Sequence, residues 1–143
     1  MPPSDVLTAT RFSITVDGYT IASFSELVGI TSEVEPIDSA DQVAGNQKLL
    51  GKPLPPTVIL RRGQTSDLAL WTWHAAVVVG DPAAARRNCT LGMYAADGTA
   101  AASYYLEQAW PSKLEVGAVK AGPTETLYET CTFVCDRLQR LAA

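Results

Sequence analysis

One histidine, His74, and three cysteines, Cys89, Cys131 and Cys135, are all that this 143-residue chain offers toward metal or thiol chemistry. Four-ligand zinc sites need more Cys and His than this, so no metal centre is expected. An odd number of thiols does not suggest a disulfide framework. Cys131 and Cys135, four apart, would share a strand face yet stand too far apart to bridge; they read as small buried residues. His74 has no nucleophile or orienting partner suggested by any motif around it. Neither a Gly-rich phosphate loop nor a Gly-x-Ser-x-Gly elbow occurs. The acidic residues form no pair of obvious shared geometry. No catalytic residue and no cofactor site is expected, and the chain does not read as an enzyme.

The chain also lacks an apolar run near the roughly 20 residues that a membrane-spanning helix requires, so no membrane insertion is expected. Its start, Met1-Pro2-Pro3-Ser4-Asp5, carries no basic-then-apolar secretory pattern, which points to synthesis and folding in the cytoplasm. Basic residues are few: 11 Lys and Arg against 15 Asp and Glu, a net charge of −4. Apart from Arg61-Arg62 and Arg86-Arg87 they are dispersed, which excludes the clustered cationic surface of a nucleic-acid binder. What the chain does have is 47% hydrophobic residues, a globular composition. A chain of this size can remove about 70% of its extended surface from water, enough for a core without disulfides or metal.

The segments read almost entirely as strands. Phe12, Ile14 and Val16 alternate with Ser13, Thr15 and Asp17, the period of a half-buried strand. Asp17-Gly18 supplies a tight hairpin turn into Tyr19–Phe24. A third strand is expected from Ile30 to Ile37, and another from Thr57 to Arg62. Thr65 and Ser66 offer capping hydroxyls and Asp67 a favourable charge for the one expected helix, over about 65–79. Leu68, Trp71, Ala75 and Val78 recur there at helical spacing. After Asp81-Pro82, Asn88–Ala96 and Ala101–Trp110 form a second hairpin about Asp97-Gly98, with Tyr104, Leu106 and Trp110 sharing a face. Strands over Leu114–Val119 and Thr126–Leu138 complete a mainly β domain. Two packed antiparallel sheets, a sandwich or partly closed barrel, are the expected architecture. A single domain spans 1–143, with a flexible arm over 1–10.

Residues 38–56 stand out as a polar connection of about 19 residues, where loops run about 4–6. Leu49-Leu50 would be awkward in water within it. Such a segment either docks on a neighbouring subunit or folds back on its own core. Asp41, Gln42, Asn46, Gln47, Lys48, Leu49 and Leu50 are its candidate interface residues. Glu129 is a further candidate, because alternation sets it on the face of Leu127, Cys131 and Phe133. A charge there requires either a partner, such as an arginine across a subunit boundary, or a bulge that turns it outward.

The ordered segments Phe12–Gly18, Phe24-Ser25-Glu26-Leu27-Val28-Gly29-Ile30, Lys48-Leu49-Leu50-Gly51, Arg61-Arg62-Gly63 before Trp71-Thr72-Trp73, Ala109-Trp110-Pro111 and Glu125–Thr130 resemble the tail-tube family. That family belongs to contractile phage tails and phage-tail-like injection systems, and the resemblance covers about 11–138. A departure is Phe133–Leu138, where a His-Glu-Gly-like ending would be expected. The resemblance implies an inner-tube subunit with an Hcp-like fold. It implies hexameric rings stacked around a channel, and partners in the sheath protein, the baseplate and spike proteins, the tail-terminator cap and a lumenal cargo protein. The alternatives are a tube-initiator or baseplate-adaptor paralogue, the secreted ring protein of type VI secretion, a monomeric small-ligand-binding barrel and, last, a thiol-dependent enzyme.

Overall fold

A computed structural model describes residues 6–38 and 48–142. The chain runs β1 (Arg11–Val16), β2 (Tyr19–Phe24), β3 (Glu26–Asp38), β4 (Lys48–Gly63), α1 (Ala69–Val79), α2 (Pro82–Ala85), β5 (Arg87–Tyr94), β6 (Ala100–Ala121), β7 (Thr124–Val134) and β8 (Arg137–Leu141). The strands form one antiparallel sheet in the order β2-β1-β5-β6-β7-β4-β3, with β8 also pairing with β6. The two sheets expected from sequence are therefore two halves of a single sheet, joined through the long β6. Phe24 of β2 meets Phe133 of β7 edge to face at 6.2 Å, although their strands lie far apart in the order. The halves thus fold over one another around Ile14, Val58, Leu60, Leu91, Leu106 and Phe133, all with no measurable exposure.

Strand β3 begins at Glu26, ahead of the expected Ile30, and several further elements differ from the sequence expectation for local reasons. Prolines 53, 55 and 56 suggested a loop, yet Lys48–Pro56 continues β4 and pairs with β3 as far as Asp38. Strand β7 reaches only to Thr57, so among the described residues no strand pairs with the other edge of this stretch and the missing proline N–H groups break no ladder there. Only residues 39–47 remain between the strands, outside the described residues, and Asp41, Gln42, Asn46 and Gln47 lie among them.

The helix begins at Ala69, not 65. Thr65 Oγ1 accepts from Asp67 N and Asp67 Oδ1 from Ala69 N, so both capping residues are spent on turns ahead of the helix. It ends at Gly80, whose φ of 84° returns its N–H to Ala76 O and Val77 O. Asp81 then caps a second, one-turn helix by accepting from Ala83 N and Ala84 N.

Strand β6 passes unbroken through Pro111-Ser112, where two strands were expected. Its face switches at Gln108, held at φ 54° while Asn88 Oδ1 accepts from its N and Nε2. After this bulge Ala109 and Pro111 point inward, so Trp110 does not share the face of Leu106. Finally, the expected strand Thr126–Leu138 is two strands, β7 and β8, divided at Cys135-Asp136 where Asp136 N donates to Glu107 O. The expected loose arm is anchored at its inner end: Ala9 packs on the core and Thr10 N donates to Tyr94 O.

Candidate functional site

The seven residue pairs Thr57↔Val134 to Gly63↔Tyr128 join β4 to β7 in the middle of one half-sheet. This shared block has a hairpin beyond each end. On one side β4 continues from Pro56 back to Lys48 with β3 alongside. On the other, β7 continues from Leu127 back to Thr124 with β6 alongside, Ala118 opposite Leu127. The two hairpins therefore project in opposite directions along the strands, and each carries the inward face of the sheet past the chain's own core.

In the β3–β4 hairpin that face bears Val34 and Pro36, directly opposite Pro53 and Leu50. The register shifts twice between Ile30 and Pro36, each time with the extra residue on β4, so β3 keeps its alternation from Ile30, which packs on the core, and Val34 and Pro36 lie on its side. Leu50 is 92% exposed, and Val34, Ile37, Leu49 and Leu54 are exposed too. Lys48 pairs with Asp38 across the strands, fixing the outermost described register. Val116, Val119 and Leu127 are the exposed apolar residues of the opposite hairpin. Of the interface candidates, Lys48, Leu49 and Leu50 thus stand together on one projecting hairpin, while Glu129 lies in the block.

Glu129 is 1% exposed and points inward without a bulge. Its Oε2 accepts from Arg62 Nε at 3.2 Å and Nη2 at 3.1 Å, and its Oε1 from Trp71 Nε1 at 3.3 Å. The Arg62 guanidinium lies 5.4 Å over the Phe24 ring. The arginine imagined across a subunit boundary is therefore found on the same chain. Alternation on β4 and β7 made this legible only in retrospect: Arg62 and Glu129 are register partners on the inward face. The unit ties β4, β7, β2 and α1, and it unites residues from three of the motif segments. Its geometry satisfies the buried charges, as interior ion pairs must be satisfied.

His74 Nδ1 donates to the Pro111 carbonyl at 2.8 Å, which fixes its proton and engages the ring with the chain itself. Cys89, Cys131 and Cys135 are free and buried. Burial pushes the Cys89 thiol up to about 12 and Cys135 to about 11, and raises Cys131 further, so all three are protonated and unreactive near neutrality. Among the described residues no group of three or more His, Cys, Asp or Glu could hold a metal, and no helix is long and apolar enough to cross a membrane.

The model of the T4-like virus tail tube protein gp19 family matches residues 8–139. The chain belongs to this family. No curated protein matches it in sequence. Among solved structures it is similar to a chain in the tube-terminating cap of the anti-feeding prophage. That match has a TM-score of 0.78 at 19% identity and covers 100% of this chain and 95% of that one. A chain of the sheath–tube complex of the extracellular contractile injection system PVC matches with a TM-score of 0.70 at 19% identity, covering 97% and 93%. Hcp1 of Flavobacterium johnsoniae matches at 0.55 and 12% identity, covering 92% and 95%. At these identities the likenesses establish the fold, which the tail tube family member here shares with Hcp.

Proposed function

We propose that the chain is the inner-tube subunit of a contractile, phage-tail-like injection system. Six copies form a ring around a channel, and rings stack into a tube inside a contractile sheath, between a baseplate and a terminating cap. Contraction drives the tube through a target envelope, and the channel holds protein cargo. The particle is assembled in the bacterial cytoplasm, and the subunit itself carries out no catalysis. The observation behind this reading is the tail tube family match over nearly the whole chain. Two features of the fold support it. The sheet is open, with β2 and β3 at its edges, and free edges favour pairing between copies. Its two hairpins also leave apolar faces uncovered at opposite ends, as a head-to-tail polymer requires.

Negative-stain electron microscopy of the purified protein, with its mass in solution, tests this reading. Six-fold rings and hollow tubes are the expected result. A monomer that neither self-assembles nor is recruited by baseplate or sheath proteins overturns it.

A second reading is a ring that caps or initiates the tube. The tube-terminating cap structure fits this fold better than the sheath–tube structure does, 0.78 against 0.70. Polymer length separates the two: a cap or adaptor stops at one ring, and the main tube subunit extends indefinitely.

A further inference from the structure

Helix α1 has two apolar faces. One, through Leu70 and Trp73, is buried against the sheet, with the Trp73 ring 5.6 Å from Phe133. The other runs through Leu68, Thr72, Ala75 and Val78-Val79, a repeat of three to four residues that forms one helical stripe. Leu68, Val78 and Val79 are 66%, 73% and 82% exposed. A helix apolar on every side is a buried helix, and the described residues cover only half of this one.

The sheet face beneath α1 is likewise only partly covered. Over the block, Trp71 and Trp73 lie on Glu129 and Phe133 of the inward face. Further out, the same face of the β3–β4 hairpin bears Val34, Pro36, Leu50 and Pro53 with all four side chains exposed. Pro53 and Pro55 leave gaps in the donors along β4, which disfavours docking there by strand addition and leaves the side-chain face as the contact. An isolated two-stranded hairpin with an apolar face also needs a helix or further strands over it to be stable.

We propose that the outward stripe of α1 in one copy packs on the inward face of the β3–β4 hairpin of the next, seating Leu50 against Val78-Val79. This rests on the tube reading above and names the surfaces that the second copy uses. The two faces lie at different places on one chain, so their contact is head-to-tail: each copy offers a helix to one neighbour and a hairpin to another. The same sheet face is then covered by α1 of its own chain over the block and by α1 of the neighbour over the hairpin.

Site-specific crosslinking tests the contact. Leu50→Cys and Val79→Cys are introduced separately and together, and treated with a short bismaleimide while assembly is followed by electron microscopy. The native thiols are buried and stay unmodified. The chain carrying both changes is expected to give a ladder of dimers, trimers and longer products. Mixing the two single variants should stop at dimers, and each variant alone should give none. Rings or tubes that form without these products, or crosslinks only within one chain, overturn the contact and leave the tube reading standing. Absence of any assembly of the unsubstituted chain even with baseplate or sheath proteins added, together with absent crosslinks, overturns both. Charge substitution gives an independent check. Leu50→Asp is expected to lower the assembled fraction at least tenfold with the monomer still folded, and Val79→Lys in the same chain to restore part of it. Unchanged assembly by Leu50→Asp contradicts the proposal.

Discussion

Strand β4 is two different structures along one chain. From Val58 to Arg62 its inward residues are sealed between β7, α1 and the opposite half-sheet. From Lys48 to Pro55 the same strand, paired with the same partner β3, stands exposed on both faces. The outer stretch carries two bulges on β4 that the block lacks, but the larger difference is what lies above. The block folds because its own chain covers it, and the hairpin presents an unfilled half of the same kind of packing. An apolar face with nothing over it is a marker of association, whereas the ion pair within the block is a marker of cohesion.

Substitutions in the two stretches should separate cleanly. The largest effect on folding is expected for Glu129→Ala, which strands the Arg62 charge in the interior and should cost about 3–5 kcal/mol in denaturant unfolding. Changing Arg62 and Glu129 together to Met and Leu should recover most of that loss. A loss as large as in the single variant would show that the pair stabilises in its own right. Leu60→Ala, in the sealed part of β4, should cost about 2–5 kcal/mol through the cavity left behind. Its counterpart Leu50→Ala should stay within about 0.5 kcal/mol while impairing assembly. Equal costs at the two positions would break the division between block and hairpin. Trp71→Phe removes the indole N–H from the Glu129 carboxylate, a bond to a charged group worth about 1.5–3 kcal/mol.

A further expected effect is on alkaline stability. Burial raises the Cys89 thiol from 9.0 to about 12 and Cys135 to about 11, so the folded state favours the protonated forms. The stabilisation they carry is fully present below pH 9 and is lost as pH rises from there toward 12, because the unfolded chain ionises first. Unfolding midpoints measured across that range should fall, and less steeply in Cys89→Ala.

How much of this was legible in the sequence depends on whether a residue's role is local. The hairpin at Asp17-Gly18 is a local signal with an unambiguous turn and appears as expected, although in β1 Ser13 is buried along with Phe12 and Ile14. Ordered motifs likewise pointed to the tail tube family without any structure. What sequence reasoning missed depends on neighbours. Prolines 53, 55 and 56 break a central strand but not one that lacks a second partner. Gln108 reverses the face of β6 through a bulge that only the Asn88 contact explains. Thr65 and Asp67 cap turns four and two residues before the helix they seemed to open. Glu129 was flagged correctly as a charge on an apolar face, yet its partner sits 67 residues earlier and could be found only by pairing β4 with β7. Of the residues that recur at helical spacing in α1, Leu68, Ala75 and Val78 turn out to lie on its exposed side, whereas the core takes Leu70 and Trp73.

The central claim is that the chain folds on its block and assembles through faces that only a second copy covers. Amide hydrogen exchange, compared between dissociated subunit and assembled tube, tests it most directly. The account predicts that residues 57–62 and 129–133 are protected in both forms, while residues 31–37 and 49–55 exchange fast in the free subunit and become protected in the tube. A hairpin already protected in the free subunit, or one left fast-exchanging in the tube, would contradict it.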